Sequence, residues 1–294
     1  MASSPTATRA LARLGEIGDA IMVRHTLFSL PFALAAVLIE SGGRPSPWKL
    51  LWILVAAAAA RNAANALNRV VDREIDAANP RTAGRHLPSG RLAPRDLKLF
   101  AAAMLGLLVL AAAMLNWLCV ALLPLAAVLV FGYSYTKRFT WLCHYWLGVT
   151  CSAATMGAFL GLAGRFELRY FAMTAAVALW VAGFDILYAL QDIEVDRAQG
   201  LKSVPARFGP RLARLAAAAS HLGTILLLAS LPLFWPALGA AYWIGVGAAA
   251  VLLAAEHVVA SGGTERHIRI AAYGINEILP LVFLAFAAAD LYLV

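Results

Sequence analysis

The stretch Asn68-Arg-Val-Val-Asp72-Arg-Glu-Ile-Asp76, NRVVDREID, closes a long apolar run. Further along, Asp192-Ile-Glu-Val-Asp196 repeats its D-x-E-x-D ending, again after an apolar run. Charges are costly in and near a bilayer, so the two clusters have to be read together with the segments that carry them. Those segments decide the fold. The 294 residues are 62% hydrophobic and only 14% charged, with a mean hydropathy of +0.76. A soluble domain carries roughly 25% charged residues. The deficit and the alanine- and leucine-rich blocks predict an all-α, polytopic membrane protein.

A spanning helix needs about 20 apolar residues. With that window the chain divides into nine expected spans, centred near residues 31, 59, 106, 126, 152, 180, 222, 245 and 280. The first is interrupted by Pro31, and the third and fourth meet at Asn116. With the N-terminus inside, the inner segments hold 19 Lys and Arg. The outer ones hold four: Arg44, Lys49, Arg165 and Arg169. The positive-inside rule then predicts a cytoplasmic N-terminus and, with nine spans, an external C-terminus. The N-terminal stretch has mixed polarity and gives no cleavable-signal pattern. Cys119, Cys143 and Cys151 lack CxxC spacing and fall in apolar runs, so they are expected as packing residues.

Net charge is +8, but the positive charge concentrates in the two loops that carry the carboxylates. That placement speaks against nucleic acid as a partner. Most connections are short. The exceptions are residues 77–95, AANPRTAGRHLPSGRLAPR, and residues 197–210, RAQGLKSVPARFGP. Each follows an acidic cluster and supplies glycine, basic residues and proline. Asp72, Glu74 and Asp76 match Asp192, Glu194 and Asp196 one for one, which reads as an internal repeat. At about 100° per residue, Arg61, Asn65, Asn68, Asp72 and Asp76 share one helix face, as do Asp185, Tyr188, Asp192 and Asp196. Two polar stripes are therefore expected to line one cavity open to the cytoplasm.

Carboxylates at i, i+4 in two facing sets suit a hard divalent cation such as Mg2+, which pairs a few carboxylates with waters and substrate phosphates. Arg73, Arg81, Arg85, Lys137, Arg138, Arg197, Lys202 and Arg207 around them call for an anion. A metal–diphosphate group answers both demands. An apolar tail on that diphosphate, as in an allylic prenyl diphosphate, would extend into the bundle. Its ionisation leaves a cation that an aromatic ring can attack. Tyr133, Tyr135 and Tyr188 could stabilise that cation or serve as interfacial anchors.

At these residues the chain resembles the UbiA superfamily of intramembrane aromatic prenyltransferases. NRVVDREIDAANPRTAGRHLPSG matches N-x-x-x-D-x-x-x-D followed by R-T-x-x-R-x-L-P-x-G. YSYTKR at 133–138 is similar to Y-P-x-x-K-R, with Ser134 in place of proline, and DILYALQDIEVDRAQGLKSVPARFG matches D-x-x-Y-x-x-x-D-x-x-x-D and then G-x-x-S. The resemblance implies one transmembrane domain over residues 1–294, nine helices around a central cavity, and cytoplasmic cap loops at about 72–95 and 192–210. It implies that Asn68, Asp72, Asp76, Asp192 and Asp196 hold two Mg2+ ions and the diphosphate, with Asp185 and Tyr188 completing the catalytic set. Arg73, Arg81, Lys137 and Lys202 become the phosphate contacts. The expected substrates are a polyprenyl diphosphate and an aromatic hydroxy acid, in the cytoplasmic membrane of a bacterium.

The first span departs from 4-hydroxybenzoate enzymes of the family, which carry R-x-D-K-P-x-G there. Here it reads Arg24-His-Thr-Leu-Phe-Ser-Leu-Pro31, closer to the branch that includes the futalosine route to menaquinone. The acceptor is thus 4-hydroxybenzoate, of ubiquinone biosynthesis, or 1,4-dihydroxy-6-naphthoate. Arg24 is the candidate for the acceptor carboxylate, and His25 reads as a base or a cap. Two rival readings remain open: a secondary transporter built on internal repeats, and a protein that binds anionic lipid headgroups.

Overall fold

The structure is a computed structural model that describes residue 13, residues 15–22 and residues 30–293. Its helices are α1 (Leu30–Ser41), α2 (Pro47–Val71), α3 (Arg73–Ala78), α4 (Pro94–Leu115), α5 (Trp117–Ala121), α6 (Leu123–Phe139) and α7 (Cys143–Ala163). They continue as α8 (Tyr170–Tyr188), α9 (Ile193–Ala198), α10 (Val204–Ser230), α11 (Ala240–Ser261), α12 (Glu265–Arg269) and α13 (Asn276–Leu293). No strand occurs among the described residues.

Helix starts follow local chemistry. Pro47 and Pro94 occupy first turns, where a missing N–H costs nothing. Ser203 caps α10 by accepting from the Ala206 amide. Asn116 separates α4 from α5 with an extended backbone, and its side chain accepts from the Cys119 amide. The expected boundary at Asn116 is therefore a real break. Within α10 the helix is interrupted at Gly209, whose φ of +80° favours glycine, followed by Pro210.

Seven helices among the described residues (α2, α4, α7, α8, α10, α11 and α13) lie in segments long and apolar enough to cross a bilayer. The other two expected positions are filled by α6, with 17 residues, and α1, with 12. At 1.5 Å per residue a 12-residue helix covers only about 18 Å of a core about 30 Å thick. Residues 23–29, which precede it, lie outside the described residues. Large apolar side chains such as Leu168, Val251, Val258 and Leu226 stand more than half exposed on the outer surface. Such a belt is compatible with lipid rather than water as its solvent.

The bundle closes on itself. α2 packs on α4, α7 on α8, α8 on α10 and α11 on α13, while α13 returns against α1. Gly148 permits the close approach of α7 to α8, because a Cβ there would sit 2.2 Å from the Ala178 carbonyl oxygen. The largest core cluster joins Phe32, Trp180 and Phe283, with ring centroids 5.1 and 5.2 Å from Phe32. At one end of the bundle the Glu40 carboxylate accepts from Arg169, Tyr170 and Trp235, while Asp290 accepts the Gly239, Ala241 and Tyr242 amides at the start of α11. These buried carboxylates are fully partnered, and they hold that end together. The acidic motifs lie elsewhere, at the ends of α2 and α8.

Candidate active site

The expected continuous stripe on one helix is corrected by the structure. α2 stops at Val71, and Asp72 (φ −92°, ψ 8°) serves as its C-cap and as the N-cap of α3. The second motif does the same: α8 passes through a 3₁₀ turn, Ala189–Asp192, and Asp192 (φ −105°, ψ 5°) begins α9. Each aspartate opens a six-residue helix, and Asp76 and Asp196 sit at its fourth position. The repeat read in sequence is thus a repeat of backbone conformation. Neither carboxylate bonds an amide of the short helix it opens; each turns instead to other partners, Asp72 to Lys137 and Asp192 to Arg81, while its charge at a helix start still complements the dipole.

The two motifs meet. Asn79, which ends α3, donates through Nδ2 to Asp192 Oδ1 at 3.1 Å. Gln199, which ends α9, reaches the Ile75 carbonyl at 3.5 Å. Arg81 clamps Asp192 with Nε at 3.2 Å and Nη2 at 2.7 Å, and its Nη1 donates to the Tyr188 hydroxyl at 2.7 Å. Its guanidinium also lies 5.2 Å from the Tyr188 ring centroid, and that ring meets Tyr273 edge-on at 5.5 Å.

Asp72 and Asp76 are both buried. Asp72 accepts from Lys137 Nζ at 2.6 Å, Asn68 Nδ2 at 2.8 Å and Arg138 Nη2 at 3.3 Å. Asn68 also donates to Ser134, the residue that stands where the expected motif has proline. Asp76 Oδ1 accepts from Arg85 at 2.7 Å. Its Oδ2 is buried and unpartnered, beside a void of about 10 Å³ bounded also by Arg69, Arg85 and His86. That is room for one water. Burial holds the His86 imidazole below its usual range, and Arg91 adds to the effect. Asp196 accepts from Ser203 at 2.7 Å.

The structure therefore gathers Asn68, Asp72, Asp76, Asp192, Asp196, Tyr188, Arg81 and Lys137, together with Arg85 and Arg138 of the wider basic set. It does not gather Arg73, which is exposed, or the Lys202 side chain, which donates to the Phe139 carbonyl at 3.1 Å. Asp185 pairs with a residue that motif reading passed over, His144, at 2.6 Å. Asn79 and Gln199 were also missed, although aligning the repeats shows an amide three positions after each second aspartate. Arg24 and His25 lie outside the described residues. His221 and His257, without suggestive spacing in sequence, touch at 3.0 Å, and Asn276 bridges Trp180 and Glu256.

No three His, Cys, Asp or Glu side chains among the described residues stand close enough to hold a metal ion. Lysine and arginine neutralise the carboxylates instead, as buried charge requires. The donor set is nonetheless all oxygen, suited to a hard cation, and Asp76 Oδ2 is unspent. These residues fit Mg2+ once the bases are drawn toward an anion.

An apolar cavity of about 420 Å³ lies between α2, α4, α6 and α7. Its polar lining includes Arg61, Asn65 and Tyr133, and its walls include Ala57, Leu108, Val130 and Met156. Asn65 lies one helical turn before Asn68, so this end of the cavity leads along α2 toward Asp72. Arg61 Nε is buried without a hydrogen-bond partner. Tyr133 donates to the Ala64 carbonyl, whereas Tyr135 lies half exposed under Arg138.

A helical membrane bundle with paired acidic caps, a basic surround and an apolar cavity has the parts of an intramembrane prenyltransferase. The chain matches the UbiA prenyltransferase family over residues 29–286. It is 33% identical over 228 residues to the 4-hydroxybenzoate octaprenyltransferase of Xanthomonas euvesicatoria pv. vesicatoria (strain 85-10), covering 76% of this chain and 74% of that one. It is 32% identical over 252 residues to the enzyme of that name from Aeromonas salmonicida (strain A449), covering 85% and 84%. Among solved structures, the apo UbiA homolog from Aeropyrum pernix K1 superposes with a TM-score of 0.83 at 30% identity, over 91% of this chain and 98% of that one. The Archaeoglobus fulgidus UbiA homolog bound to DMAPP and Mg2+ shares the fold, with a TM-score of 0.68 at 19% identity over 95% and 100%. The chain belongs to the UbiA prenyltransferase family and is a multi-pass membrane enzyme, an aromatic prenyltransferase.

Proposed function

We propose that the chain transfers a polyprenyl group from an allylic polyprenyl diphosphate to an aromatic hydroxy acid of respiratory quinone biosynthesis, 4-hydroxybenzoate or 1,4-dihydroxy-6-naphthoate. The observation that carries this is the meeting of the two acidic caps, Asn79 to Asp192 and Arg81 to Asp192, near the end of an apolar cavity. Asn68, Asp72, Asp76, Asp192 and Asp196 would hold two Mg2+ ions. When bound, the metal neutralises the diphosphate and favours its departure. Arg81, Lys137, Arg85 and Arg138 now neutralise the carboxylates and would turn to phosphate oxygens, which accept the same charge-assisted hydrogen bonds. The apolar cavity takes the prenyl chain and excludes water from the cation. Arg61 is the described cation with an unspent donor beside that cavity, so it is the described partner for the acceptor's carboxylate.

Residues 1–294 would form one transmembrane domain in the cytoplasmic membrane of a bacterium, with cytoplasmic cap loops and N-terminus and an external C-terminus. The test is proteoliposomes given polyprenyl diphosphate, Mg2+ and both acids in competition, with products read by mass spectrometry. A prenylated acid is expected, and whichever acid is prenylated identifies the acceptor. Solute uptake without any prenylated product would overturn the reading. Arg61→Ala should raise the acceptor KM about tenfold or more, the loss of one charged hydrogen bond, with the donor KM nearly unchanged.

A further inference from the structure

Asp185 differs from the three cation-paired carboxylates of the site. Asp72, Asp76 and Asp192 each contact a lysine or arginine. Asp185 has only His144 among the described residues, with Nδ1 2.6 Å from Oδ2. His144 stands in the first turn of α7 and is buried. Its other nitrogen, Nε2, lies 3.3 Å from the Val204 amide at the start of α10. A backbone N–H can only donate, so Nε2 must carry the lone pair. The proton shared with the carboxylate is then on Nδ1, and the imidazole donates it to Asp185.

The pair is sealed on one side only. The His144 side chain is 4% exposed and that of Asp185 is 25% exposed. The Asp185 oxygen that His144 does not hold has no hydrogen bond to a described residue. Cys151, in the cavity wall, lies within electrostatic reach of both Asp185 and Arg61. Asp185 does not itself line that cavity, but through Cys151 it stands near the end where Arg61 would hold the acceptor's carboxylate. Its free oxygen carries no lysine or arginine among the described residues and is open to a proton, whereas Asp72, Asp76 and Asp192 are each committed to a cation.

We propose that His144 is the positioning residue of the proton-accepting step, holding Asp185 so that its free oxygen takes the proton the aromatic acceptor loses. The inference rests on the aromatic prenyl transfer proposed above. In that reaction the allylic C–O bond breaks and its electron pair leaves with the diphosphate. A ring carbon supplies the electron pair of the new C–C bond. The C–H bond at that carbon then breaks, its electrons restoring the aromatic ring and its proton passing to Asp185. His144 keeps its Nδ1 proton throughout, and the Asp185 carboxyl returns its proton to water after product leaves.

Partitioning tests this, because ionisation of the donor needs no base whereas capture by the ring does. The unsubstituted chain in proteoliposomes, with polyprenyl diphosphate, Mg2+ and the accepted acid, should give nearly one prenylated acid per diphosphate released. Asp185→Asn and His144→Leu should go on releasing diphosphate but give at least about tenfold less prenylated acid per diphosphate. The remainder should appear as prenyl alcohol. His144→Gln can still donate to Asp185 and accept from Val204, so it should restore most of the ratio. A ratio unchanged in Asp185→Asn, or a ratio in His144→Gln no better than in Asp185→Asn, would overturn the inference, even if His144→Leu failed to fold. No prenylated acid from the unsubstituted chain would overturn the transfer reaction itself.

Discussion

The two acidic motifs share a backbone and differ in what neutralises them. In the first, Asp72 and Asp76 are buried at 4% and 5% exposure, and three cations from two other segments converge on them: Lys137 and Arg138 from α6, Arg85 from the following loop. In the second, Asp192 and Asp196 are half-buried, with one cation, Arg81, on Asp192 and a serine hydroxyl on Asp196. Equal spacing therefore does not mean equal electrostatics. The first motif is an anchored half whose charges support the bundle, and the second is an exchangeable half. A buried ion pair gains little over apolar packing but costs about 3–5 kcal/mol when one partner is removed. A half-buried pair, partly screened by water, costs less.

The largest effects should come from the aspartates. Asp72→Ala and Asp192→Ala are both expected to lower turnover by about 10³-fold or more, because each removes a carboxylate that would hold the metal cation facing the developing diphosphate charge. Mass spectrometry of product measures it, and retained activity in both would refute the metal assignment. Stability separates the pair. Asp72→Ala strands Lys137 and Arg138 and should cost about 3 kcal/mol. Asp192→Ala leaves Arg81 its bond to Tyr188 and should cost about 1 kcal/mol. Thermal melts in detergent read the difference, and equal losses would erase the distinction between anchored and exchangeable halves.

The cations give the next effect in size. Arg81 is the lone described cation on Asp192, whereas Lys137 shares Asp72 with Arg138. Arg81→Ala should therefore raise the donor KM by about 10–100-fold, the range of a bidentate charged contact. Lys137→Ala should raise it only several-fold, with Arg138 still in place. The reverse order, measured in steady-state kinetics with varied prenyl diphosphate, would make the first motif the principal phosphate contact.

Much of this was legible in sequence. The apolar blocks, the break at Asn116 and the match of Asp72-x-x-x-Asp76 with Asp192-x-x-x-Asp196 are local, and locality is what spacing reports. The turn at Asp72 was not, because the i, i+4 pattern continues unbroken through a residue that caps one helix and begins another. Nor was the His144–Asp185 pair, since the residues stand 41 positions apart and only the packing of α7 on α8 joins them. The cavity belongs to the same class: α2, α4, α6 and α7 each supply a strip of wall, and no strip is distinctive alone. The loop bases were read as one set, yet the fold uses Arg81 and Arg85 and turns Arg73 outward. On a short helix, neighbours in sequence face different ways.

Arg73 gives the smallest expected effect and the sharpest check on the comparison. It begins α3 directly after Asp72, inside the motif itself, yet its side chain is exposed and makes no hydrogen bond or ion pair with a described residue. Three other cations already stand around the first pair of aspartates. Adding a fourth to the bound diphosphate would require Arg73 to swing across the start of α3 and to lose side-chain freedom costing up to about 2 kcal/mol. Arg73→Ala should accordingly change kcat/KM by less than about twofold and stability by less than about 0.5 kcal/mol, as for an exposed site without special contacts. A tenfold rise in donor KM would show instead that binding draws Arg73 inward. The first motif would then rearrange as much as the second, and its buried ion pairs would be a resting arrangement of the same exchangeable kind.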